Sequence, residues 1–96
     1  MELLITVTRP CADHLEPLLR ACLRRQCDWQ VFLTGDGMQV LQSQTLADLL
    51  VQNSERVVAC HDSWRAFHDE NECPLTVGSQ TNHSDMVARA ERVVGL

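Results

Sequence analysis

The chain has 96 residues, 45% hydrophobic and 22% charged, which fits one compact domain (1–96) with a modest core and excludes a mainly disordered chain. Its formal charge of −5 argues against nucleic acid as a partner, because phosphate-backbone binding draws on a basic surface. All eight basic residues are Arg, and neither Lys nor Tyr occurs, which excludes Schiff-base chemistry, a phosphate-loop lysine and a tyrosine acid. Leu3 to Thr8 is a short apolar, β-branched run that predicts a strand buried on both faces. Arg9-Pro10-Cys11-Ala12-Asp13 breaks it. From Asp13 to Gln26 the apolar residues Leu15, Leu18, Leu19, Cys22 and Leu23 fall at helical spacing, and Pro17 is expected only in or before the first turn.

Trp29 to Thr34 predicts a second strand, stopped at Gly35-Asp36-Gly37, where a turn with positive-φ glycines is expected. Gln42 to Gln52 is a weaker helix with Leu46, Leu49 and Leu50 as its stripe, and Asn53-Ser54 is a break. Arg56 to Cys60 is a third strand, and Ser63 to Glu70 a short helix carrying Trp64, Phe67 and His68 on one side. Pro74 to Val77 is a fourth strand ending at Gly78. A last helix is expected over Asn82–Ala90, capped by Ser84 or Asn82, and a last strand over Arg92–Val94. Strands alternating with helices imply right-handed crossovers and a parallel sheet. The expected fold is a small flavodoxin-like open α/β sheet of about five strands with helices on both faces. The usual strand order of that type, 2-1-3-4-5, would make the first and third strands neighbours. No segment approaches the ~20 apolar residues that span a bilayer. The acidic start Met1-Glu2 lacks the basic region of a signal peptide, so a cytoplasmic protein without membrane contact is expected.

Chemistry in such sheets gathers at the carboxyl edge of the strands. Five cysteines are present, and this topology sorts them. Cys60 ends the third strand and runs directly into a helix, where free backbone N–H groups and the helix dipole favour a thiolate. His61, Ser63 and Arg65 follow as candidate orienting or charge-stabilising neighbours, and Asp62 opposes them. Cys11 leaves the first strand at the same edge and is a candidate second thiol, able to resolve a persulfide on Cys60 if the two strands are adjacent. Cys22 belongs to a helix stripe and is expected in the core. Cys27 and Cys73 precede strands and fall at the opposite edge. Cys60, His61, His68, Cys73 and His83 include metal-ligand types, but no zinc-finger spacing joins them. No cofactor is called for, since the first loop, Thr8 to Asp13, holds no glycine with which to cradle a phosphate.

Three segments, in order along nearly the whole chain, resemble the DsrE/DsrF/TusD-like sulfur-relay family. They are Val31-Phe32-Leu33-Thr34-Gly35-Asp36-Gly37-Met38, Arg56-Val57-Val58-Ala59-Cys60-His61-Asp62-Ser63-Trp64 and Ala88-Arg89-Ala90-Glu91-Arg92-Val93-Val94-Gly95-Leu96. The resemblance implies a subunit without flavin that assembles as a homo-oligomer (dimer, trimer or hexamer) or with paralogues. It also implies that Cys60 accepts sulfane sulfur as a persulfide and passes it from a donor protein to an acceptor protein, a sulfurtransferase or carrier role. The alternative is a non-catalytic, oligomer-forming interaction subunit of the same fold, with Trp64 and Phe67 as binding surface.

Overall fold

The computed structural model describes residues 1–68 and 73–96, with the side chain of His68 outside that description. The expected helix therefore runs past the described residues at Asp69 and Glu70, and the His68 side chain, named above as a metal-ligand type, lies outside them too. In chain order the elements are β1 (Leu3–Val7), α1 (Ala12–Arg24), β2 (Trp29–Leu33), a 3₁₀ segment (Gly35–Gln42), α2 (Gln44–Gln52), a short 3₁₀ turn (Ser54–Arg56), β3 (Val57–Cys60), α3 (His61–His68), β4 (Thr76–Gly78), α4 (Gln80–Arg89) and β5 (Arg92–Gly95).

The five strands form one sheet in the order β4-β3-β2-β1-β5, and every pairing is parallel. This is the expected α/β open sheet, with one correction. β1 pairs with β2 and β5, not with β3. The chain steps from β1 to β4 in one direction and then crosses back over three strands to β5. Right-handed connections therefore put α1, α2 and α3 on one face and α4 on the other.

The strand registers show how unequally the two faces are covered. The row Val7, Leu33, Ala59 lies on the face of the first three helices, with Ile5, Val31 and Val57 one row below, and all six side chains are fully buried. The opposite row is Thr6, Phe32, Val58, Thr76. Here Phe32 is buried, Thr6 and Val58 are half-buried and Thr76 is exposed, because a single helix cannot span five strands. α4 is seated on this row by His83, whose ring stacks on Phe32 at 4.5 Å between centroids and whose Nε2 lies 3.0 Å from Thr6 Oγ1.

Helix ends follow local chemistry. α4 begins two residues earlier than expected, because Ser79 and Asn82 form a capping box that satisfies two otherwise free donors. Pro17 sits in the interior of α1, contrary to the expectation that it would precede or open the helix. The N–H it lacks would have bonded the Asp13 carbonyl, and both residues are exposed, so water can serve that carbonyl. Burial of Leu15, Leu19 and Cys22 on the other side then outweighs the proline's cost.

After β2 the chain winds into the 3₁₀ segment rather than a plain turn, and its two glycines serve different purposes. Gly35 takes φ +56, the left-handed conformation in which a Cβ is penalised. Gly37 does not. A Cβ at Gly37 would overlap the backbone carbonyl of Val7, so that position needs glycine for close approach.

Candidate functional site

Opposite exits from neighbouring strands mark where an open α/β sheet forms a crevice at its carboxyl edge. In this chain β3 leaves to α3 on one face, while its neighbour β4 leaves to α4 on the other. Cys60 and Gly78 are register partners at that point. Cys60 is the last residue of β3 and stands immediately before the first residue of α3, the N-cap position. The residue is buried, 5% exposed.

Three separate segments converge on this sulfur. Ser63, one turn into α3, hydrogen-bonds it through both its hydroxyl and its backbone N–H. Thr34, just past β2, contributes its hydroxyl. Gln80, the first residue of α4, contributes its carboxamide, with Nε2 3.6 Å from Cys60 Sγ. These groups also orient one another. The Gly35 N–H donates to Ser63 Oγ at 2.8 Å, leaving the serine proton free to point elsewhere. Gln80 Nε2 donates to Thr34 Oγ1 at 3.2 Å, which likewise frees the threonine proton. Thr34 Oγ1 and Ser63 Oγ stand 3.5 Å apart.

The chemical meaning lies in the donor count. A thiol carries one proton and is a weak acceptor, whereas a thiolate only accepts. Burial pushes the Cys60 thiol up, but the Ser63 hydroxyl, the Ser63 N–H, the Thr34 hydroxyl and the Gln80 amide together bring it below the ordinary thiol value. α3 and α4 both begin here, and their positive N-terminal ends act in the same direction. Burial pushes Cys11, Cys22 and Cys73 the other way, and for those three the rise is the net result. The surroundings of Cys60 thus favour its thiolate, the nucleophilic form of a cysteine.

Of the residues singled out from sequence, Ser63 joins Cys60 directly. His61 does not. Its side chain is 56% exposed and its Nδ1 lies 3.7 Å from Asp62 Oδ1, on a residue that is itself 97% exposed. Arg65 is exposed on the same helix and is not among the groups that bond the sulfur. Cys11 does lie at the carboxyl edge, as the residue before α1. However, β2 stands between its strand and that of Cys60, which puts the two strands about 10 Å apart. The adjacency on which a Cys11–Cys60 pairing depended is therefore absent. Trp64 is buried and Phe67 is 43% exposed. Among the described residues, no three His, Cys, Asp or Glu side chains group closely enough to hold a metal ion, and no helix is long and apolar enough to cross a membrane.

Two site residues were not anticipated, Thr34 and Gln80. The Ser79-x-x-Asn82 spacing is a legible helix-start signal. It would have placed Gln80 at the carboxyl edge, though not beside Cys60. Comparison with protein-family models, with curated proteins and with solved structures found no match.

Proposed function

We propose that this protein carries sulfane sulfur as a persulfide on Cys60 and passes it to a partner protein. The observation that supports this most directly is the convergence of Ser63, Thr34 and Gln80 on one sulfur at the sheet's carboxyl edge, with its thiol held below the ordinary value while burial raises others. The resemblance of the segments around Val31, Arg56 and Ala88 to the sulfur-relay family points to the same chemistry.

The step is a thiol exchange. The Cys60 thiolate attacks the outer sulfur of a donor persulfide. A sulfur–sulfur bond forms to Cys60, the donor's own sulfur–sulfur bond breaks, and the donor leaves as a thiolate with the bonding pair. No external oxidant or reductant is consumed. Delivery is the same reaction in reverse sense, with an acceptor thiolate attacking the terminal sulfur of the Cys60 persulfide. The donors around Cys60 assist both halves, because each half begins or ends with charge on that sulfur.

The test is the intact mass of reduced protein incubated with a sulfane-sulfur donor. Wild type is expected to gain the mass of one sulfur, removable by dithiothreitol, and Cys60→Ser to gain none. An adduct spread evenly over all five cysteines, or none at all, would falsify the carrier role. The exposed apolar side chains Phe67, Val77 and Val93 would then be the place to look, as contacts of an interaction subunit.

A further inference from the structure

At the sheet edge opposite Cys60, a second pair of sulfurs is brought together by the way α1 ends. The N–H of Gln26 donates to the Leu23 carbonyl at 3.2 Å, and the N–H of Cys27 to the Cys22 carbonyl at 3.0 Å. Gln26 between them is left-handed, with φ 55. This is the paired 5→2 and 6→1 closure of a Schellman motif, whose geometry lays the side chain two places past the cap against the one three places before it. Those two positions are Cys27 and Cys22, and Cys27 adds to burial in raising the Cys22 thiol.

Cys22 is buried and Cys27 is half-buried. Both line a cleft of about 350 Å³ together with Gln26, Trp29 and Arg56, so a small oxidant has a route to Cys27. Cys27 Sγ donates to Glu2 Oε2 at 3.8 Å, which orients the thiol at the cleft. The backbone closure, with Cys27 N–H bonded to the Cys22 carbonyl at 3.0 Å, holds the two residues side by side.

We propose that Cys22 and Cys27 are a redox pair, converted to a disulfide by a hydroperoxide that enters at Cys27. Attack of the Cys27 sulfur on the peroxide breaks the O–O bond, giving a sulfenic acid and releasing water or an alcohol. Cys22 then attacks that sulfur. The S–O bond breaks, the S–S bond forms, and a second water leaves with the Cys22 proton. Two thiols lose two electrons, and the peroxide is reduced by two. The product staples the end of α1 to the start of β2 across the strained residue Gln26. It is independent of the reading of Cys60, at the other edge of the sheet.

The test uses the full chain in the Cys60→Ser background, so that the site thiol does not contribute. The protein is treated with hydrogen peroxide, its remaining thiols are alkylated, and it is digested with trypsin without reductant. Cleavage at Arg20, Arg24, Arg25 and Arg56 separates Cys22 (residues 21–24) from Cys27 (residues 26–56) unless a disulfide joins them. The expected result is a monomer that has lost the mass of two hydrogens and two alkylatable thiols, with those two peptides joined and released by dithiothreitol. Adding Cys27→Ser should abolish the joined pair. Peroxide that leaves both thiols alkylatable, a disulfide mapping to any other pair, or over-oxidation of Cys27 with Cys22 still free would each overturn the proposal.

Discussion

Cys60 owes its character to the groups around it more than to its own chemistry. Of its donors, Ser63 comes with the helix that Cys60 caps, while Thr34 and Gln80 follow the strands on either side, β2 and β4. Removing one donor leaves the burial in place and lowers the support for the anion. Ser63→Ala and Gln80→Ala are each expected to raise the Cys60 thiol. The readout is the pH profile of alkylation by iodoacetamide, whose midpoint should move to higher pH. A profile unchanged in both variants would remove the hydrogen-bond account. The same shift has a consequence for stability. Because folding lowers the Cys60 value, the thiolate stabilises the fold above the unfolded thiol's pKa, and that contribution is lost as pH falls through the folded value. Cys11, Cys22 and Cys73 are raised, so their contribution is present below the unfolded value and lost as pH rises. Unfolding midpoints of wild type and Cys60→Ser should therefore diverge in favour of wild type as pH climbs through the Cys60 value.

Single elements carry their own tests. α1 closes on Gln26 in a left-handed conformation, where glycine is the ordinary choice. Gln26→Gly is expected to stabilise the protein by about 1 kcal/mol, because it removes the Cβ penalty and leaves the closing hydrogen bonds in place. A shift of the urea midpoint to higher concentration, with an unchanged slope, would show it. The opposite holds at Gly37, where a Cβ would overlap the Val7 carbonyl. Gly37→Ala forces the 3₁₀ segment away from β1 and should cost about 1–3 kcal/mol, seen as a lower melting temperature. Gly35→Ala tests strain without crowding, since open space surrounds its Cβ position. It should cost about 1–2 kcal/mol.

At the scale of the whole molecule, strand order decides which loops are neighbours. With β2 between β1 and β3, Cys11 is held away from the sulfur it was expected to meet. Cys11→Ser should leave the loading and release of sulfur on Cys60 unchanged in a mass-shift time course. A slower release in that variant would mean that the Cys11 loop reaches Cys60 across β2 in solution. Among the described residues, the crossing from β4 back to β5 puts α4 alone on its face of the sheet, and this same crossing brings Gln80 to Cys60. The site therefore depends on a contact between segments whose order along the chain gives no hint of proximity.

What was legible in the sequence was local in origin. Short runs of three to six residues between helical stripes named all five strands to within a residue or two; in the central strands this is because burial on both faces demands continuous apolar segments. The junction of Val57–Cys60 with the helix that follows it identified the thiol and its Ser63 partner, since both belong to one helix start. The stripe of Leu15, Leu19 and Cys22 showed which way α1 faces. The rest was decided by tertiary structure. A helix stripe does not say which face of a sheet it covers, nor an apolar run which strand it pairs with. The sheet order β4-β3-β2-β1-β5 follows from how the whole set of buried faces packs at once. That order brought Thr34 and Gln80 to the sulfur and put a strand between Cys11 and Cys60.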